Sequence, residues 1–280
     1  MAVQNSVLTN VGAFVALRNL NSTNAKLDQV QNRVSTGLKV AGALDDASNF
    51  SIAQGIRGEL KAIGAVTQGL NNAKGVGKVA IAGATGVSNL LTDIRAKLTS
   101  LGNEGITTQQ RTILADDFNK LMSQANNFVA NSIFNGVNLL SSGGNNVNTL
   151  SNLSGGTLTL TAQSLTTVIS SLQGLGASVA SSASGAANAQ AAITTEFNAL
   201  ESTVNAALGS LGAEVRAWDL QTSFLAEISD ATAEGLGNIV DADLARESAR
   251  LTSLQVQQQL SIQTLGIANQ RPQSLLGLFG

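Results

Sequence analysis

The side chains of this 280-residue chain best placed to do chemistry are its acidic pairs: Asp45-Asp46, Asp116-Asp117 and Asp241 with Asp243. Two carboxylates can divide general-acid and general-base work when their environments push their pKa values apart. Neighbouring residues on a helix, however, project about 100° apart, so these carboxylates do not face one another. Asp45 precedes a helical stretch and is expected to be its N-cap, accepting from orphan backbone N–H groups where an acid also suits the helix dipole. The rest of the catalytic repertoire is missing. With no His and no Cys, the chain has no Ser-His-Asp triad, no thiolate nucleophile and no imidazole or thiolate metal ligand. Its glycines recur along a helical repeat rather than after a strand, which is not how a phosphate-cradling loop is built. The expectation is a non-enzyme without catalytic, cofactor-binding or metal residues.

With catalysis set aside, the distribution of charge is the informative feature. From Leu121 to Thr195 there is no Asp, Glu, Lys or Arg, and Leu251 to Gln270 is equally uncharged. A soluble monomer intersperses charge to stay apart from its neighbours. A chain that omits it over such spans is expected to hold those surfaces against other chains. Charged residues make up 12% of the chain and the net charge is -2, which argues against nucleic acid or a polybasic membrane contact. The lack of Cys leaves the redox compartment open. A single proline, Pro272, means almost no slow cis/trans isomerisation, as suits a chain that travels unfolded and refolds quickly.

No targeting segment or membrane span is expected. The first charged side chain is Arg18, so the start lacks the basic n-region of a secretory signal. Leu251–Gln270 is long enough to cross a bilayer, but Gln255, Gln257, Gln258, Gln259 and Gln263 oppose that reading.

The elements that organise these residues are helices with heptad stripes. Near the amino end Leu17, Leu20, Leu27, Val30 and Val34 keep such a spacing. The clearest signal is a long helix in which Ile63, Leu70, Gly77, Ala84, Leu91 and Leu98 recur every seven residues. Val66, Ala73, Ala80, Val87, Ile94 and Leu101 follow three positions later, the a/d pattern of coiled-coil packing. Its glycines cost roughly 1 kcal/mol each relative to Ala, so this helix depends on partners that approach closely. Thr107 and Gln110 are spaced as a capping box, opening a helix with the stripe Leu114, Phe118, Leu121, Ala125 and Phe128. A further stripe runs through Ile193, Phe197, Leu200, Val204, Ala207, Leu211, Trp218, Leu225 and Ile228, interrupted by Glu214 and Gln221. The last helix carries Val240, Leu244, Leu251, Leu254 and Leu265, interrupted at Gln258, with a second apolar line of Val256, Leu260 and Ile267. One partner would not cover so wide an arc.

Between Ser141 and Gly185 the composition turns to Ser, Gly, Asn and Thr, and Thr157-Leu158-Thr159-Leu160-Thr161 alternates as a half-buried strand does. A small β-hairpin region, about residues 137–165, and a short linker are expected there. The first 40 residues carry four bases and one acid, while residues 236–280 carry three of each. On that count, specific charge pairing is not expected to join the two ends.

Several runs carry a family resemblance. Leu17-Arg18-Asn19-Leu20, Leu27, Arg33-Val34-Ser35-Thr36-Gly37 and Asp45-Asp46-Ala47 resemble the amino-terminal signature of bacterial flagellins. Ile133-Phe134-Asn135-Gly136-Val137-Asn138-Leu139-Leu140 resembles the stretch entering the flagellin hairpin. The carboxyl end is similar too, from Asp241-Ala242-Asp243-Leu244-Ala245 to Ala268-Asn269-Gln270 and Leu275-Leu276-Gly277. It is most similar to short alphaproteobacterial flagellins. The likeness covers roughly residues 1–140 and 185–280.

The resemblance implies a mainly α, flagellin-like fold: a long antiparallel helical bundle and coiled coil with a small β-hairpin region. Residues 1–42 and 236–280 would form the two halves of an inner coiled-coil domain, with 43–235 as the outer helical domain and Ser35–Asp46 as the spoke between layers. Polymerisation would rest on Leu20, Leu27, Val34, Leu244, Leu251, Leu254 and Leu265. Ile63, Leu70, Leu91, Ile94, Leu98, Phe118, Leu121, Phe197, Leu211, Trp218 and Leu225 would form the outer-domain core. The implied function is the self-assembling subunit of the flagellar filament, used in swimming motility. A hook-filament junction (hook-associated) protein is the alternative. Implied partners are further copies of the chain and paralogous flagellins, a filament cap protein, the hook-filament junction protein and a flagellin export chaperone. The implied route is type III export, without a cleaved signal peptide, to the extracellular filament. Neither nucleic acid, membrane nor cofactor is expected to take part.

Overall fold

The computed structural model describes residues 9–181 and 184–276, with side chains described through residue 270. Part of the amino-terminal start that lacks a basic n-region, residues 1–8, and Gly277 onward lie outside the described residues. The fold is mainly α: α1 (Val11–Thr36), α2 (Ala47–Leu101), α3 (Thr108–Ala130), α4 (Leu165–Gly174), α5 (Gly176–Val179), α6 (Gly185–Ala192), α7 (Asn198–Val240) and α8 (Leu244–Leu276). Strands β1 (Val147–Leu150) and β2 (Thr157–Leu160) form one antiparallel pair, and Ile193–Phe197 makes a π-helical turn ahead of α7. The chain divides into two units, residues 1–58 with 231–280 and residues 59–230.

In the second unit α2 runs antiparallel to both α3 and α7. Lys74 reaches Asp219 at 2.7 Å near one end, and Arg95 lies 4.0 Å from Glu201 near the other. Lys97 pairs with Asp117 of α3 at 3.0 Å. Both seven-residue lines of α2 are buried from Ile63 to Leu101. Two glycines show why the helix accepts so many. A Cβ on Gly77 would sit 2.6 Å from Val215 of α7, and one on Gly83 would fall on the hydroxyl of Ser132. Close approach, not flexibility, selects glycine there.

The start of α3 follows the capping-box reading. Thr107 accepts from the Gln110 amide, and the Gln110 side chain accepts from the Thr107 N–H at 2.9 Å. Its buried stripe is offset from the expected one: Ala115, Phe118, Met122, Ala125 and Val129 are buried, while Leu114, Leu121 and Phe128 are partly buried against the core. The offset follows from what α3 covers, because α4 and α5 pack on its other flank. Arg111, buried on the same stripe, donates to the carbonyls of Leu101 and Asn103. A cation at the end of α2 meets the negative pole of the helix dipole.

The hairpin pairs Val147 with Leu160 and Leu150 with Thr157. Leu158 and Leu160 point inward and the threonines outward. The stretch expected to be a short linker is instead largely helical. Leu165, Ile169 and Leu172 of α4, Val179 of α5, and Ala189 and Ala192 of α6 are all buried in the main core. An apolar residue every three or four positions makes α4 a helix despite its Ser and Thr content. Two polar interruptions of the α7 stripe hold the hairpin: Glu214 accepts from the Thr161 N–H at 3.0 Å, and Gln221 donates to the Ser151 carbonyl at 2.7 Å.

Candidate assembly interface

The first unit has α1 and α8 packed along each other, and its geometry starts at the caps. The Asn10 side chain accepts from the Ala13 N–H to open α1, and Gly37, in the left-handed region at φ 72°, closes it. Asn10 also donates to the Ala268 carbonyl at 2.7 Å. Further along, Gln258 donates to Asn24 at 2.8 Å, Arg33 reaches Glu247 at 3.3 Å, and Leu38 bridges Asp241 with antiparallel pairing. As one residue number rises its partner falls by nearly as much, so α1 and α8 pair in a single antiparallel register.

The Arg33–Glu247 pair corrects the expectation that specific charge pairing plays no part. Glu247 is buried, and Arg33 Nε and Glu247 Oε2 have no hydrogen-bond partner. Net charge over two segments could not reveal a single pair placed inside the seam. The acidic pairs serve local structure. Asp46, not Asp45, caps α2: it accepts from the backbone and side-chain N–H groups of Asn49, which hold its pKa below the usual carboxylate value. Asp45 closes the preceding turn by accepting from Ala41 and Gly42 N–H. Asp243 accepts from Arg246 N–H at the start of α8, and Asp117 pairs with Lys97. Among the described residues no group of three or more acidic side chains could hold a metal ion, and no helix is long and apolar enough to cross a membrane.

The proposed polymerisation residues divide by burial. Leu254 is buried, as are Ala16 and Val30 of α1; Leu20, Leu27, Val34, Leu251 and Leu265 are half-buried; Leu244 is 49% exposed. The proposed outer-domain residues Ile63, Leu70, Leu91, Ile94, Leu98, Phe118, Phe197, Leu211, Trp218 and Leu225 are buried, with Leu121 partly so. Further apolar residues are exposed on the paired ends. Phe14 and Val15 of α1 lie open, as do Val256, Leu260, Ile262 and Ile267 of α8. Leu44, in the turn that Asp45 closes, is fully exposed at 105%. Burying such side chains fully is worth about 1.5–3 kcal/mol each, against about 1 kcal/mol or less for a partly exposed ion pair. The apolar flanks, not the charges, hold the free energy available for association.

The paired helical ends thus leave apolar flanks in water, a surface open to association. The family model described as the bacterial flagellin N-terminal helical region matches residues 7–146, and that for the C-terminal helical region matches residues 191–279. Flagellin FljM of Caulobacter vibrioides is 38% identical over 275 residues, covering 98% of each chain. A flagellin of Brucella melitensis is 35% identical over 290 residues, covering 98% of this chain and 99% of its own. The chain belongs to the bacterial flagellin family. A putative flagellar hook-associated protein from Vibrio parahaemolyticus shares the fold, with a TM-score of 0.59 over 70% of this chain and all of that one, at 16% identity.

Proposed function

We propose that this flagellin is the repeating subunit of a flagellar filament and that its paired ends drive the assembly. The observation that carries this reading is the line of exposed apolar side chains on α1 and α8. A head-to-tail contact that does not close on itself generates an open helical polymer. Residues 1–42 and 236–280 form its inner layer, with Leu20, Leu27, Val34, Leu244, Leu251, Leu254 and Leu265 at the contact, and residues 43–235 form the outer layer. The role is mechanical: no catalytic step is assigned to any residue. The subunit is exported and adds to an extracellular filament, with a cap protein, a junction protein, an export chaperone and paralogous flagellins as partners.

A hook-filament junction protein is the second reading. Full-length relatives at 35–38% identity favour the filament subunit, because the 16% likeness to a hook-associated protein speaks to fold alone. Negative-stain electron microscopy of the purified chain with short sheared filament seeds separates the two. Long uniform growth supports the filament subunit; copies that only cap the seeds support the junction protein.

A further inference from the structure

Among the described side chains of the α1–α8 seam, two polar pairs meet: Asn24–Gln258 and Arg33–Glu247. The apolar part of the seam is repetitive. Leu20, Leu27 and Val34 recur every seven residues, as do Leu244, Leu251 and, past Gln258, Leu265. Sliding one helix past the other by seven residues keeps the two stripes face to face, with Gln258 their only polar member, so the apolar stripe by itself tolerates more than one register. The bridge between Leu38 and Asp241 is made by backbone groups, which carry no record of which residue they belong to.

The charged pair does carry that record. In the observed register Arg33 Nη1 meets Glu247 Oε1 at 3.3 Å with most of both side chains out of water. A slip of seven residues one way would set Arg33 against Leu254 and Glu247 against Val40. The other way would set Arg33 against Val240 and Glu247 against Lys26. The first slip strands the guanidinium against Leu254 and carries Glu247 past the end of α1 at Thr36; the second carries Arg33 past the start of α8 at Leu244 and leaves Glu247 with Lys26, one heptad before Arg33. A buried charge without its partner is strongly disfavoured, whereas an apolar pair of similar size in its place is often neutral for stability.

We propose that Arg33 and Glu247 are the specificity-determining residues of end pairing: they select the one register in which α1 and α8 present a uniform apolar flank to the next subunit. This rests on the filament reading for its consequence, but the register itself can be measured directly. Because the chain contains no Cys, introduced cysteines report register without background. In the full-length protein, Asn24→Cys with Gln258→Cys places two thiols at an observed contact. Combining Asn24→Cys with Leu251→Cys, or with Leu265→Cys, moves the second thiol one heptad away in either direction.

Each cysteine pair is assembled on wild-type seeds and oxidised, and the intrachain disulfide in the monomer band is quantified by peptide mass spectrometry. With Arg33 and Glu247 intact, the 24–258 link is expected to dominate. With Arg33→Met and Glu247→Leu, the off-register links should rise about tenfold relative to it, the loss of roughly one decade of discrimination. Exchanging the charges, Arg33→Glu with Glu247→Arg, should restore the single link. An apolar variant that keeps the 24–258 link as exclusively as the parent overturns the proposal. So does an exchanged pair that slips as the apolar variant does, which decides the matter even where the apolar variant does not assemble. A parent chain that fails to grow on seeds would instead count against the filament reading, leaving the register result on the free chain to stand by itself.

Discussion

Gln258 donates from its amide to the Asn24 side-chain oxygen at 2.8 Å, so the residue that interrupts the leucine stripe of α8 has its counterpart on α1. In the sequence Gln258 looks like a defect in a heptad; in the structure it is one half of a polar pair inside the seam. The same holds in the larger unit, where Glu214 and Gln221 interrupt the α7 stripe and bind the hairpin backbone.

Those hairpin anchors make a local prediction. Glu214→Ala removes the acceptor of the Thr161 N–H, and a hydrogen bond to a charged group is worth about 1.5–3 kcal/mol. Amide exchange at Thr161 should accelerate by about tenfold or more, while amides in the buried middle of α2 keep their protection. Gln221→Ala should do the same, more weakly, to the turn beyond Ser151.

Glycine spacing on α2 predicts opposite signs for one substitution. Gly64 is exposed with open space at its Cβ position, so Gly64→Ala should stabilise the unit by about 0.5–1 kcal/mol through helix propensity. At Gly83 the new methyl collides with Ser132, and overpacking of about 1–3 kcal/mol outweighs that gain. Gly83→Ala should therefore be net destabilising. Urea unfolding followed by the fluorescence of Trp218, the only tryptophan and fully buried, reads both.

Asp46 predicts a pH dependence. The backbone N–H of Asn49, followed by its side-chain amide, lowers the Asp46 pKa. A lowered native pKa contributes stability above the unfolded value, lost as pH falls through the native one. The first turn of α2 should therefore stay ordered down to about pH 4 and loosen below it. Titration of the Asn49 amide by NMR checks this, and Asp46→Asn should remove the acid transition.

The capping box at α3 gives a further test. Thr107→Ala should cost about 1 kcal/mol, within the range of N-cap losses, measured by the same Trp218 unfolding signal. Gln110→Ala should cost less, since the Thr107 hydroxyl still accepts from the backbone of residue 110.

Much of this architecture is legible in the chain. The two seven-residue lines of α2 are visible because long coiled-coil helices repeat their environment, and the Thr157–Leu160 alternation is visible because a two-stranded sheet has one buried face. The helices from Leu165 to Ala192 stay hidden, since Ser, Thr and Gly mask three short helices whose formation depends on packing, above all against α3. The stripe of α3 shifts because that helix is covered on two sides. Asp45 and Asp46 exchange roles because adjacent acids at a helix start are indistinguishable until the turn before them is fixed. The Arg33–Glu247 pair is masked by averaging charge over long segments when a single contact across the seam is what matters.

Seeded elongation of the Leu251→Asp variant tests the central claim most directly. Leu251 lies half-buried on α8 beside buried Leu254, where a carboxylate would sit in the apolar contact uncompensated. The account predicts no filaments by electron microscopy, with Trp218 unfolding of the central unit unchanged. Normal filaments from that variant would contradict it.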